Sequence, residues 1–294
     1  MRALCWFLGL MVAAAAAIAL LTYPAWLLLH PHFDFPFHRI GERIGMLALL
    51  VGLIALARRL KVADRTNLGY GLPRRAFLRE MSLGLLLGVT SMLAVVGIMT
   101  ALSLLDWSGA SEIGAAALAR LILLRAVSGL AVAFIEETFL RGAMHSAIER
   151  ESGTRAAVLG VALLYAATHF FASYHIAPAA VTAHSGVDLL AGTLHLFARP
   201  LGIADAFLAL FAVGVVLGLV RAASGNIAAC IGLHAGWVWV MLTVHELARP
   251  RPAAPLGFLL SHFDGFVGWL VLAWTALLAV PLWRFYAARS ARAA

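Results

Sequence analysis

The sequence predicts an all-α integral membrane protein, a polytopic bundle of about eight transmembrane helices in a single domain over residues 1–294. Of the 294 residues, 63% are hydrophobic and only 12% are charged, and the mean hydropathy is +0.94. Since soluble proteins are about half apolar and about a quarter charged, a large soluble domain is excluded. The two cysteines, Cys5 and Cys230, both lie in apolar stretches, so no disulfide framework is expected.

Eight apolar stretches have the length that a membrane-spanning helix needs, roughly 17 residues or more. The predicted spans cover residues 3–29, 41–60, 79–105, 117–140, 155–171, 203–222, 226–246 and 265–287. The first is longer than the core of a signal peptide, which has ~7–15 residues, so we expect it to be retained as a helix. Between the fifth and sixth spans, the partly apolar segment 172–202 predicts an interfacial or re-entrant helix from Val187 to Phe197.

The loop charges predict the orientation of the bundle. The loop between the second and third spans carries a run of positive residues: Arg58, Arg59, Lys61, Arg65, Arg74, Arg75 and Arg79. Positively charged loops stay in the cytoplasm, so this loop and, with eight spans, both termini are predicted to be cytoplasmic. The net charge of +8 follows from this bias and does not indicate a nucleic-acid partner. The expected location is the bacterial cytoplasmic membrane, with the lipid bilayer as partner; no pattern specifies an oligomeric state.

Two adjacent carboxylates in the fourth span are the first candidate site residues, because an ionisable group in lipid is costly and usually functional. Glu137 lies four residues before Arg141, on the same helical face, so we expect these two side chains to pair. Glu136 is then left without that partner and is free to change protonation. The alternative is a helix end at the membrane surface where all three residues meet water.

Two histidines complete the candidate site. If the fourth and fifth spans form an antiparallel hairpin about Ser152 and Gly153, Glu136 and His169 are equally far from the turn and lie at one depth. His234 lies two turns into the seventh span, among small residues that let helices approach closely. One carboxylate and two histidines within a membrane indicate either a general base that activates water or a metal site.

Three motifs, in this order along the chain, resemble those of the CAAX protease and bacteriocin-processing family of glutamic-type intramembrane endopeptidases. They are Glu-Glu-x-x-x-Arg at 136–141, an aromatic-x-x-x-His motif from Tyr165 to His169, and Gly-Leu-His-Ala-Gly-Trp at 232–237. The resemblance covers about residues 115–245 and implies that this region is a catalytic core, with Tyr165 in a supporting role. It also implies a cavity that opens toward the cytoplasm.

The resemblance further implies roles for the site residues and a class of substrate. By position, Glu136 would be the general base, His169 its partner and His234 a stabiliser of the oxyanion, while Glu137 and Arg141 would hold the motif helix. The implied substrate is a membrane-anchored protein or peptide, such as a CAAX-type C terminus, a bacteriocin or pheromone precursor, or a sorting tail. No cofactor is implied.

The sequence departs from the family pattern at Val238, where the last motif usually continues as His-x-x-x-Asn. Loss of one oxyanion-hole donor costs ~100–1000-fold in rate. The indole N–H groups of Trp237 and Trp239, a backbone amide and His245 are candidate substitutes. A catalytically degenerate family member that acts as a membrane scaffold, immunity factor or binding protein is the alternative function.

Other chemistries are weaker alternatives. Zinc would use Glu136, His169 and His234 as its ligands. The stretch His245-Glu246 starts like the zinc motif H-E-x-x-H, but an arginine stands where the second histidine belongs. Cys230 lies four residues before His234, a spacing that would pair a thiol nucleophile with its base.

The predicted topology is testable with reporter fusions. A reporter fused after Ala294 is expected to lie in the cytoplasm and one inserted within 30–39 on the opposite side, because each span moves the chain across the membrane once. Paired enzymatic and fluorescent reporters at each site measure this directly. Reporters found on the same side would eliminate the eight-span topology.

Overall fold

The computed structural model describes residues 2–111, 113–170 and 174–293. The helices in this part of the chain are α1 Arg2–Leu29, α2 Phe37–Arg59, α3 Arg74–Ala101, α4 Ser108–Ser111, α5 Ala115–Glu137, α6 His145–Thr168, α7 Ser185–Phe197, α8 Ala204–Ser224, α9 Ala228–Leu247 and α10 Trp269–Ala293. A π-helix, Thr138–Met144, joins α5 directly to α6. Strand β1 (Leu105–Asp106) pairs antiparallel with β2 (Arg249–Pro250) and ties together the loops that follow α3 and α9.

The predicted all-α polytopic bundle is confirmed. Within the described residues, seven helices are long and apolar enough to cross a membrane. One of them, Ala115–Thr168, is 54 residues long and carries both the fourth and the fifth predicted spans. It is broken at Gly153, where φ is 83° and ψ is 166°, a conformation that glycine adopts without steric cost.

The break at Gly153 reverses the chain, as the hairpin prediction requires. Arg141 and Tyr165, each twelve residues from Gly153, are in contact, and the guanidinium carbon lies 4.9 Å from the centre of the tyrosine ring. The two arms therefore run antiparallel and in register. This register brings Glu136 and His169 to the same cavity wall.

Several predicted helix boundaries differ from the structure. The third span was expected to reach residue 105, but α3 ends at Ala101, because Leu105 is used in the β ladder. The fourth span was expected to end at 140, but the chain stays helical through the π-helix into α6, with its residues 140–144 all buried. The fifth was expected to end at 171, which lies outside the described residues.

The segment expected to hold an interfacial or re-entrant helix contains α7, which packs against α1. A Cβ added at Gly186 would lie 2.2 Å from the carbonyl oxygen of Ala19, so the two backbones are in direct contact. This contact fixes α7 beside the half of α1 that leads to its C-terminal end.

Helix α9 packs closely between α3 and α5. Glycines on all three helices permit this close approach. A Cβ at Gly84 of α3 would lie 2.5 Å from the Ala229 oxygen, and one at Gly232 of α9 would lie 2.1 Å from the Met81 oxygen. On the other side, a Cβ at Gly129 of α5 would lie 3.0 Å from an α9 oxygen. Small residues permit this close packing in membranes, where no hydrophobic force drives helices together.

The loop between α2 and α3, residues 60–73, lies within the arginine-rich segment 58–79 and covers one end of the bundle. The Ser146 hydroxyl donates a hydrogen bond of 2.6 Å to the Asn67 carbonyl, and the hydroxyls of Tyr70 and Thr138 are hydrogen-bonded to each other. The loop is therefore attached to the π-helix and to the start of α6. The π-helix and α6 directly follow the candidate carboxylates, Glu136 and Glu137, in the sequence.

The glycine contacts predict a sharp difference between two alanine substitutions on α3. Gly84→Ala is expected to lower the free energy of unfolding by about 1–3 kcal/mol, since its Cβ overlaps the α9 backbone. Gly97→Ala, which has open space around it, is expected to be neutral or stabilising by about 0.5–1 kcal/mol. Unfolding of the purified protein in detergent measures both, and equal stabilities would contradict the packing described.

Candidate active site

The two carboxylates of the candidate site lie in the last turn of α5, where the helix passes into the π-helix. Glu137 and Arg141 are fully buried, and the guanidinium Nη1 donates a hydrogen bond of 2.8 Å to Glu137 Oε1. Arg141 Nη2 also donates to the carbonyl of Gly214 in α8, at 3.2 Å. The pair expected from the i, i+4 spacing is thus present, and it connects the motif helix to α8.

His234 lies between the two carboxylates. Its Nδ1 is 2.8 Å from Glu137 Oε1, and its Nε2 is 4.0 Å from Glu136 Oε2. Glu137 Oε1 is an acceptor that also receives the Arg141 hydrogen bond, so His234 Nδ1–H is the donor in the first contact. The Nε2 then carries a proton only when the ring is an imidazolium. This nitrogen faces Glu136, whose Oε2 is buried and has no hydrogen-bond partner among the described residues.

His169 reaches the same site from the other arm of the hairpin. Its Nδ1 is 2.8 Å from the Tyr165 carbonyl oxygen, which fixes the ring and leaves Nε2 for other partners. Glu136, Tyr165, His169, His234 and Val238 line one cavity of about 240 Å³. Of the predicted site residues, only the buried pair Glu137–Arg141 lies behind its wall.

The cavity is mostly apolar away from the carboxylate and the histidines. Its walls come from α3, α5, α6, α8, α9, α10 and the loop before α10. Outside the predicted site, its polar side chains include Ser91, Asp264 and Thr275. An apolar chamber with a few polar groups at one place is the usual form of a ligand site.

Three side chains are candidate substitutes for the asparagine that the family has at position 238, and each makes another contact in the structure. The indole N–H of Trp237 donates to Ser91 Oγ at 2.9 Å, and that of Trp239 donates to the Ile122 carbonyl at 2.9 Å. His245 packs its ring against Phe266.

A second cavity, of about 310 Å³, meets the site at Glu136 and was not anticipated from the sequence. It lies between α1, α2 and α7, and its polar lining includes His38 and Glu42. Nothing in the sequence around His38 connects this residue to the fourth span. Glu136 therefore borders two chambers.

The residues of the metal alternative line the cavity, whereas the cysteine of the thiol alternative lies in the packed core. Among the described residues, no three His, Cys, Asp or Glu side chains are grouped so as to hold a metal ion. Cys230 is fully buried, and its Sγ lies 3.4 Å from the Leu217 carbonyl of α8. It packs in the core between α8 and α9.

The fold and the site define an integral membrane protein whose ionisable residues meet at a cavity inside a helix bundle. Residues 118–240 match the family model described as Rce1-like, type II CAAX prenyl endopeptidase. This match supports the assignment of the region to the CAAX protease and bacteriocin-processing family predicted from its motifs, and at the level of the family it supports a CAAX-type intramembrane protease. No curated protein and no solved structure matches the chain.

The two adjacent carboxylates are expected to differ in their effect on stability. Glu137→Gln leaves the buried Arg141 charge without its counterion, so the free energy of unfolding should fall by about 3–5 kcal/mol. Glu136→Gln removes a carboxylate with no ion pair to an arginine and should change stability by less than about 1 kcal/mol. Thermal and denaturant unfolding of the two variants measures this. Equal losses would mean that the Glu137–Arg141–His234 contacts do not stabilise the fold.

Proposed function

We propose that this protein is a glutamic-type intramembrane endopeptidase in which Glu136 activates water without a metal ion. The observation that carries the proposal is the position of His234, which lies between the free carboxylate of Glu136 and the buried Glu137–Arg141 pair. A base and a charged donor are thereby held side by side at a cavity wall. Amide hydrolysis requires both.

In the first step, Glu136 accepts a proton from a water molecule as the water oxygen bonds to the carbonyl carbon of the scissile peptide. The carbonyl π electrons move to oxygen and give a tetrahedral oxyanion. Collapse of this intermediate breaks the C–N bond, and the protonated Glu136 delivers its proton to the leaving amine nitrogen. Positioned acid–base catalysis of this kind contributes about 10²–10⁴-fold.

His234 is proposed to stabilise the oxyanion as an imidazolium. With both its nitrogens protonated, Nδ1–H donates to Glu137 and Nε2–H is free to donate to the oxyanion. The two carboxylates, Arg141 and the imidazolium then sum to zero charge, which suits a buried site. A donor prepositioned in a low-dielectric cavity is worth more than the same donor in water.

The other motif residues are proposed to hold this geometry. The Nδ1 of His169 is hydrogen-bonded to the Tyr165 carbonyl. Its Nε2 is proposed to orient the attacking water together with Glu136. Tyr165 presents its ring to the Arg141 guanidinium and supports the buried pair. Glu137 accepts the hydrogen bond from Nδ1–H of His234 and holds its ring in one orientation, as carboxylates commonly do for functional histidines.

The proposed substrate is a membrane-anchored protein or peptide, of CAAX, bacteriocin, pheromone or sorting-tail type. Val238 favours a second candidate function, because it borders the cavity one turn after His234 and offers no donor. A degenerate protein that binds such a substrate without cleaving it, as a scaffold or immunity factor, is this second candidate. Accumulation of an uncleaved membrane protein on loss of Glu136 separates the two.

The proposal predicts that Glu136→Gln lowers the cleavage rate by about 10²–10⁴-fold while expression and membrane insertion persist. Substrates are found by comparing the termini of membrane proteins from cells that carry the native protein, the variant or neither. The rate is then measured with one such substrate in vesicles. Near-normal cleavage by Glu136→Gln would refute the glutamic mechanism.

Matched controls separate this mechanism from its rivals. Glu246→Gln neutralises a carboxylate that pairs with Arg125 at the bundle surface, and it should cleave normally. Cys230→Ser tests a thiol nucleophile and should have little effect on the rate. A zinc chelator should leave the rate unchanged; chelator-sensitive cleavage restored by added zinc would favour Glu136, His169 and His234 as metal ligands.

A further inference from the structure

A third cavity, of about 300 Å³, lies where the start of α3, the turn between α8 and α9 and the end of α10 meet. Loop 60–73 borders it through Leu72, and the Gly69 carbonyl of this loop accepts a 3.1 Å hydrogen bond from the Ile227 amide of the same turn. The third cavity shares no lining residue with the two cavities at Glu136. The proposed hydrolysis therefore gives it no role.

The charged side chains that line the third cavity are two arginines and one carboxylate. Arg289 of α10 is hydrogen-bonded to Glu80 of α3, and Arg79 Nη2 lies 3.7 Å from the same oxygen of Glu80. Two guanidinium groups thus share one carboxylate, and one positive charge is left uncompensated in the lining. Guanidinium groups bind phosphate oxygens with strong, charge-assisted hydrogen bonds.

Two buried donors at this cavity have no hydrogen-bond partner among the described residues. They are Nε of Arg289 and the hydroxyl of Tyr286. Tyr286 is only 1% exposed, and its hydroxyl is near enough to Glu80 and Arg289 to interact with both electrostatically. Since buried polar groups in folded proteins nearly always have partners, these two donors favour an acceptor bound in the third cavity.

The first turn of α3 adds backbone donors. Leu72 and Ala76 line the cavity on either side of the helix start at Arg74, and Pro73 supplies no side-chain cap there. The first amide groups of a helix have no acceptor within the helix, so they can donate to an anion bound in front of them. An anion with several oxygen atoms would satisfy these amides together with the arginines.

The surroundings of the third cavity favour a lipid as the source of this anion. Leu78 of α3, and Trp283 and Phe285 of α10, expose 40–46% of their surface on the outside of the bundle. The Arg289 guanidinium carbon lies 5.5 Å from the centre of the Phe285 ring. Aromatic residues near the ends of membrane helices commonly lie at the level of the lipid headgroups. Charged groups and lipid-facing apolar groups therefore adjoin at this cavity, as the phosphate and acyl chains of a phospholipid do.

We propose that the third cavity binds the phosphate headgroup of an anionic glycerophospholipid. Arg79, Arg289 and the Tyr286 hydroxyl would donate to the phosphate oxygens, with the acyl chains lying against the exposed faces of α3 and α10. The lipid would join the start of α3 to the end of α10, a connection that the described side chains make through Arg289 and Glu80. Helices α3, α9 and α10 also line the cavity at His234, so the bound lipid would stabilise their packing around the site.

The experiment measures lipid binding by the purified full-length protein and needs no cleavage assay. The protein in a neutral detergent is titrated with dioleoylphosphatidylglycerol, with zwitterionic dioleoylphosphatidylcholine or with inorganic phosphate. Native mass spectrometry counts the bound lipid molecules, and thermal unfolding reports the stabilisation. One phosphatidylglycerol molecule is expected to bind at a concentration at least about tenfold lower than phosphatidylcholine, because its net charge is uncompensated.

Substitutions of opposite effect identify the third cavity as the binding site. Arg79→Gln and Tyr286→Phe each remove a donor and should weaken phosphatidylglycerol binding about 3–10-fold. Glu80→Gln should tighten it about threefold or more, since it frees Arg289 from its carboxylate. Arg74→Gln and Arg284→Gln are the matched controls, because about 100° of rotation per residue places them on the opposite faces of α3 and α10. They should leave the affinity within about twofold.

Four results would overturn the proposal. Phosphatidylglycerol and phosphatidylcholine that bind alike would exclude an anion site, and equal losses in the variants and their controls would indicate diffuse attraction. Inorganic phosphate that stabilises the protein as well as phosphatidylglycerol would exclude a lipid-specific site. Weaker lipid binding by Glu80→Gln would mean that the Arg289–Glu80 pair serves only to hold the helices. Arg79 is exposed, so Arg79→Gln tests binding in a folded protein.

Discussion

The buried carboxylate of Glu137 is the interaction on which the rest of the site depends. A single oxygen, Oε1, accepts hydrogen bonds from Arg141 on its own helix and from His234 on α9. A charge without solvent is stable only with such partners, since desolvation costs several kcal/mol per ion. The carboxylate therefore holds two helices in one relative position, and with them the orientation of the histidine ring.

The approach of α9 to α5 makes this interaction possible. His234 reaches Glu137 because Gly129 lets the backbone of α5 contact that of α9, while Gly232 of α9 lets α3 pack closely on its other side. A bulkier residue at position 129 would hold α9 farther from α5 and leave Glu137 with only Arg141. The glycines that flank the histidine in the sequence are thus part of the site, although none of them carries a functional group.

The sequence by itself determined the features that depend on local spacing and on hydropathy. Long apolar stretches specify membrane helices because every backbone group must be satisfied within lipid. The Glu137–Arg141 pair follows from a four-residue spacing, and the shared depth of Glu136 and His169 from counting along a hairpin. The region that matches the family model, residues 118–240, contains all three of these motifs.

Only the tertiary structure decided which side chains meet between helices. Hydropathy gives a helix its place in the bilayer but leaves its rotation and its neighbours to packing. The contact between Glu137 and His234 joins residues 97 positions apart. The same holds for the hydrogen bond from Trp237 to Ser91 and for the second cavity at Glu136. Both depend on how whole helices are rotated, and the local sequence carries no signal for that rotation.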